Sequence, residues 1–168
     1  NRIDSHGGSL RYVVKLKKNL KLHVRESVEN CVKLEKKMGL NKIDTYRDFF
    51  TRIENKKNEL HELFTKLKSE NKTIIGFGAP AKATTFMYQF CIDEKIIDFI
   101  IDDSPLKQGL FSPGMHVPVY SSKKIYEEKP DYIIILAWNF AQSIMEKHKK
   151  FKSNGGHFII PLPKLEVN

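Results

Sequence analysis

Cysteine is almost missing from this sequence: Cys31 and Cys91 are the only two in 168 residues. They have neither the paired spacing of a zinc site nor the number that a disulfide framework needs. The chain therefore reads as one made for a reducing compartment, the cytoplasm, with no structural metal. Long apolar runs are missing too, and no signal peptide opens the chain, so no membrane partner is expected. There is no initiating methionine; the chain starts at Asn1, in what looks like the approach to a strand, and is expected to be a piece of something longer. Acidic residues are in deficit, with 20 Asp/Glu against 29 Lys/Arg and a formal net charge of +9. The deficit is uneven: residues 1–71 hold 17 basic and 10 acidic residues, residues 72–168 hold 12 and 10. The basic half lacks a continuous basic groove with exposed aromatics between the charges. Lysine and glutamate are instead mixed along helices whose aromatics fall on the apolar stripe, the pattern of a solvated face, and no nucleic-acid partner is expected.

What is present is enough for one core of ordinary size with a helical appendage, since 40% of the residues are hydrophobic. The first part has a strand-like alternation at Leu10–Lys17 and a helix pattern over Val24–Met38 that ends at Gly39. A longer helix starts at Ile43 with Asp44 as N-cap; Tyr46, Phe49, Phe50, Ile53, Leu60, Leu63, Phe64 and Leu67 recur on it at three and four. From residue 72 strands and helices alternate. Strands are predicted at Thr73–Phe77, Ile97–Ile101, Val117–Tyr120, Tyr132–Ala137 and Phe158–Ile160, and helices at Pro80–Phe90, Ser122–Glu127 and Phe140–Phe151. The expected fold is α/β: a Rossmann-like, mostly parallel sheet flanked by helices and preceded by a helical segment. The division read from the pattern is 1–20, a helical connector at 21–71, and the Rossmann-like domain at 72–168.

The stretch KTIIGFGAPAKATTFMYQF, residues 72–90, concentrates the chemistry. Gly76 and Gly78 mark a turn where the backbone approaches something closely, Ala79 follows, and Pro80 fits the first position of a helix. Orphan N–H groups at a helix start attract an anion, and Lys82 adds positive charge about one turn in, so phosphate is the expected guest. In an open sheet, ligands sit beyond the carboxyl ends of the strands. There the sequence also places Asp102 and Asp103, which serve as turn caps or ligand contacts, and Lys107 and Gln108 in the loop after them. Trp138 is either a packing wedge or a stacking surface, and Asn139 caps the next helix or touches a ligand.

Five ordered segments, HGGSLR (6–11), GFGAPAK (76–82), IDDSPLKQGLFSPGMHVPV (101–119), KPDYIIILAWNFA (129–141) and GGHFIIPLP (155–163), resemble the C-terminal part of the sugar C-methyltransferases. The intervening helices match only in character. The resemblance implies an S-adenosylmethionine-dependent parent that methylates a ring carbon of a nucleotide-linked deoxyketosugar of the dTDP-sugar type. In such a parent a zinc module and a methyltransferase domain precede a Rossmann-like domain that helps enclose the nucleotide sugar. Residues 1–20 then correspond to the tail of the methyltransferase domain, which is the expected partner, and His6 joins the substrate-facing residues. S-adenosylmethionine is expected outside this chain and no cofactor within it. The chain matches none of the residues that such enzymes use around the proton-abstracting base, so no catalytic residue is assigned and the isolated chain is expected to be inactive.

Two other functions fit parts of the pattern. G-F-G-A-P-A satisfies a relaxed dinucleotide fingerprint with an acidic pair after the next strand, which suggests an NAD(P)-binding oxidoreductase. Gly76 to Asp102 is longer than the usual gap of about 20 residues, however, and no hydride-transfer constellation follows. The other is a non-catalytic nucleotide-binding sensor domain.

Overall fold

In the computed structural model, which describes residues 2–3, 8–19, 21 and 23–168, Arg2–Ile3 (β1) pairs antiparallel with Ser9–Leu10 (β2). The strand predicted over Leu10–Lys17 is not formed beyond Leu10. Tyr12, Val13, Val14 and Leu16 are exposed, so alternation alone had no packed face on which to lay a strand. The first helix, α1 (Glu26–Lys37), begins two residues later than its periodicity suggests. It carries Glu26 and Glu29 in its first turn and Lys36 and Lys37 in its last, the order its dipole favours, and Gly39 follows it at φ +70. The second, α2 (Ile43–Ser69), takes Asp44 into its first turn, where Asp44 pairs with Arg47 instead of acting as N-cap. Two compact units divide the chain, 1–54 and 55–168, so the second half of α2 belongs to the C-terminal unit.

The C-terminal unit is built on a six-stranded sheet in the order β5-β4-β3-β6-β7-β8. Its elements in chain order are β3 (Ile74–Phe77), α3 (Ala81–Gln89), β4 (Ile100–Ile101), β5 (Val119–Tyr120), α4 (Lys123–Glu128), β6 (Tyr132–Ile135), a 3-10 turn (Trp138–Phe140), α5 (Ala141–Lys147), α6 (Lys149–Ser153), β7 (His157–Ile160) and β8 (Glu166–Val167). All pairings are parallel except β8 on β7. The runs IIGF and YIII do not alternate with polar residues because both faces of a parallel sheet are covered.

Chain direction across the sheet reverses between β3 and β6. From β3 the chain moves outward to β4, and from β6 it moves the other way to β7. With right-handed crossovers, this puts α3 on one face and α5 and α6 on the other. Accordingly Ile75, Phe77, Ile101, Ile133, Ile135 and Phe158 form one cluster with Ile125 of α4, Ala141 and Ile144 of α5 and Phe151 of α6. Each isoleucine and phenylalanine of the cluster stabilises the fold by about 1.5–3 kcal/mol relative to exposure. Gly76 points to the other face, where an added Cβ would stand 3.0 Å from Leu136 Cδ1 and 3.1 Å from Ile100 Cγ1.

Several boundaries differ from the sequence reading. The strands predicted at Ile97–Ile101 and Val117–Tyr120 shrink to β4 and β5. The helix predicted over Phe140–Phe151 is interrupted at His148 (φ −109, ψ 28), whose ring is drawn inward against Phe77 at 5.1 Å between centroids. Pro80 is extended (φ −72, ψ 161) and stands one residue ahead of α3. The short β8 was not anticipated; its main-chain pairing with β7 needs no apolar run. Lysine and glutamate pair along α2 at Lys56–Glu59, in keeping with the mixed charge pattern of the basic half, and further pairs form at Lys124–Glu128 and Lys149–Glu146. Among the described residues no helix is long and apolar enough to cross a membrane.

Candidate functional site at the carboxyl edge of the sheet

The reversal point lies between the carboxyl ends of β3 and β6, the place where open α/β sheets leave a crevice. Gly78 leaves β3 at φ +92 and donates its N–H to Ile101 O at 2.7 Å. A Cβ on Gly78 would lie 2.7 Å from Ala137 Cβ, so glycine is what allows the two strands to exit side by side.

The anion at this turn is the chain's own. Ala79 N–H donates to Asp102 Oδ2 at 2.7 Å. The carboxylate, 8% exposed, also accepts Ser104 N–H at 2.9 Å and Lys107 Nζ at 3.1 Å. Gln108 Nε2 donates to the Asp102 carbonyl at 3.0 Å. Burial pushes the Asp102 carboxyl up, but the N–H groups of Ala79 and Ser104 together with Lys107 outweigh it and hold the carboxyl below the usual carboxylate range. The glycine turn, the start of α3 and the loop after β4 are thereby tied at one residue. Beyond this tie the loop folds back as an irregular hairpin, with Gly109 N–H to Val119 O, Val119 N–H to Leu110 O and Ser112 N–H to Val117 O. Tyr88 of α3 lies against Gly114, leaving no room there for a Cβ.

A second pair stands on the α3 side. The Lys82 ammonium is 4.2 Å from the centroid of the Trp138 ring, and Phe86, one helical turn further on, is 5.4 Å from the same ring. No ion pair among the described residues includes Lys82, and burial lowers its pKa. Asn139 is exposed within the 3-10 turn, and α5 starts without a side-chain cap bond, so the predicted cap is not formed. Asp103 pairs with Lys147 at 2.7 Å.

The predicted residues thus fall into groups. Gly78, Ala79, Asp102, Lys107 and Gln108 are joined around one carboxylate; Lys82 meets Trp138, with Asn139 beside it in sequence. Gly76 is a packing position inside β3, and Pro80 leads into α3. His6 lies outside the described residues. His148 has no place among the residues that the sequence pattern singles out. It is 3% exposed, with Nδ1 3.2 Å from the Tyr126 hydroxyl and a buried Nε2 that has no hydrogen-bond partner. Burial, then Lys147, lowers its pKa, with Asp103 opposing. A lone histidine inside a helical pattern gives no signal of this.

Among the described residues no cluster of His, Cys, Asp or Glu could hold a metal ion.

Over residues 4–163 the sequence matches the family described as the C-methyltransferase C-terminal domain. Among curated proteins, C-methyltransferase NovU of Streptomyces niveus is 34% identical over 164 residues, covering 98% of this chain and 39% of that relative. The chain thus spans about two fifths of the length of the curated relative it matches.

Proposed function

The chain belongs to the C-methyltransferase C-terminal domain family, and from that premise we propose that it is the substrate-binding portion of an S-adenosylmethionine-dependent enzyme. The substrate is a nucleotide-linked deoxyketosugar of the dTDP-sugar type, and the reaction takes place in the cytoplasm. The observation that carries this reading is the pairing of Lys82 with Trp138 at the reversal point, beside a loop anchored by Asp102. An ammonium without a carboxylate partner suits a diphosphate, and an indole suits a base or sugar face. Lys107 keeps donors beyond the one it gives Asp102, and Gln108 and Asn139 offer amides at the same edge. Asp102 itself organises the loop.

Methyl transfer to a ring carbon begins with removal of a proton next to a ketone and needs a base together with a stabiliser for the enolate. Asp102, held ionised by three donors, is a poor base, so the base and the methyl donor belong to a methyltransferase domain outside these 168 residues. The NAD(P)-binding reading is disfavoured because the carboxylate that would hold the ribose instead occupies Ala79 N–H, where a pyrophosphate would approach. Family membership favours a part of an enzyme over a free-standing sensor.

Thermal shift with thymidine and uridine diphosphates, NAD and S-adenosylmethionine tests this. The expected result is stabilisation by the nucleoside diphosphates and none by the other two, with no methyl transfer by the isolated chain. Preferential stabilisation by NAD or S-adenosylmethionine, or measurable methyl transfer, would overturn it.

A further inference from the structure

Building on the nucleotide-sugar reading above, we propose that Trp138 is the stacking platform for the nucleobase and that Lys82 covers it until a diphosphate draws the ammonium away. The ammonium lies over the indole at 4.2 Å, and Phe86, at i+4 on the same face of α3, supports the ring at 5.4 Å. The ring is half-buried and begins the 3-10 turn after β6, so its position is set by the sheet and not by a free loop. Lys82 is also half-buried and no ion pair among the described residues includes it, which leaves its charge uncompensated except by the ring quadrupole.

A cation on an indole is a weaker partnership than an ammonium on a phosphate. An arriving diphosphate therefore takes Lys82, and the vacated ring face accepts the base, whose stacking on an aromatic side chain is tolerant of base identity. The two halves of the ligand are read by two residues that contact each other in its absence. Occupancy of one subsite then favours the other, because moving Lys82 both completes the phosphate contact and exposes the platform.

Trp138 is the only tryptophan in the sequence, so its emission reports the exchange without a label. Thymidine diphosphate, thymidine and inorganic pyrophosphate are titrated into the wild type, Lys82→Ala and Trp138→Leu, with emission and calorimetry read in parallel. In the wild type, thymidine diphosphate quenches Trp138 emission. Trp138→Leu weakens thymidine diphosphate by roughly five- to a hundredfold and does not weaken pyrophosphate, which no longer has to draw Lys82 off the ring, whereas Lys82→Ala weakens both. Should the leucine variant not fold, Trp138→Phe keeps the packing and the wild-type emission decides. Calorimetric binding of thymidine diphosphate with unchanged wild-type emission, or with full affinity in a folded Trp138→Leu, overturns this inference and leaves the nucleotide-sugar reading standing. Absence of any calorimetric binding to the wild type overturns both.

Discussion

The two ends of α2 have the same apolar periodicity and opposite fates. Phe49 and Phe50 are 54% and 58% exposed, whereas Phe64 and Leu67 are 2% and 3% exposed. The first pair lies in the unit 1–54 and the second in the unit 55–168. A stripe at three and four states that a helix has an apolar face; it does not state where along the helix that face is covered. The same contrast separates the units as wholes. The described residues of the first bury no apolar side chain completely, and those of the second bury isoleucines on both sides of a sheet.

Truncating the stripe at each end sharpens that contrast most. Phe64→Ala should lower unfolding free energy by about 3–5 kcal/mol and Phe49→Ala by no more than about 0.5 kcal/mol, read by chemical denaturation. Equal losses would mean that exposure does not rank the two ends. Next in size is the glycine turn. Gly78→Ala meets both a left-handed φ and Ala137 Cβ at 2.7 Å, and should cost about 2–4 kcal/mol. Gly109→Ala, at φ +80 with open space around it, should cost only about 1–2 kcal/mol.

Polar groups buried in the second unit make the contrast pH-dependent. Asp102→Asn should cost about 1–3 kcal/mol at neutral pH. Because the folded carboxyl titrates below the unfolded one, its contribution is present above the unfolded pKa and is lost as pH falls through the folded pKa. The gap between wild type and variant should therefore narrow in acid; a gap constant with pH would assign Asp102 no charge-dependent role. His148 should give the smallest effect. Its folded pKa is depressed, so the unfolded chain takes up the proton first and stability declines as pH falls below about 6.5. A His148→Phe variant should show a shallower decline in melting temperature between neutral and mildly acidic pH, and identical slopes would mean that His148 does not set the decline.

Sequence patterns located the sheet well because a parallel sheet writes itself as continuous runs such as IIGF and YIII, which no surface element shares. They failed at Leu10–Lys17, where alternation met no covered face, and at His148, where a single inward-turned side chain split a helix whose composition gave no warning. In the candidate site, GFGAPAK and DDSPLKQG each read as an anion-binding or turn segment. Their separation in the chain concealed that Asp102 of one supplies the anion for Ala79 of the other. The contact between Lys82 and Trp138 was equally hidden, since it joins α3 to the end of β6 across the reversal point.

Opposite the carboxyl edge, with Lys82 and Trp138, the C-terminal unit has a groove toward the amino ends of the strands, lined by Thr73, Asp98, Pro118, Lys124 and Pro130 among others. Amide and indole chemical shifts of the 15N-labelled chain, followed while thymidine diphosphate is added, distinguish them directly. Binding at the carboxyl edge predicts perturbations at Ala81, Lys82, the Trp138 indole and Asn139, with Thr73, Asp98 and Lys124 unmoved. Perturbations confined to Thr73, Asp98 and Lys124 would contradict it.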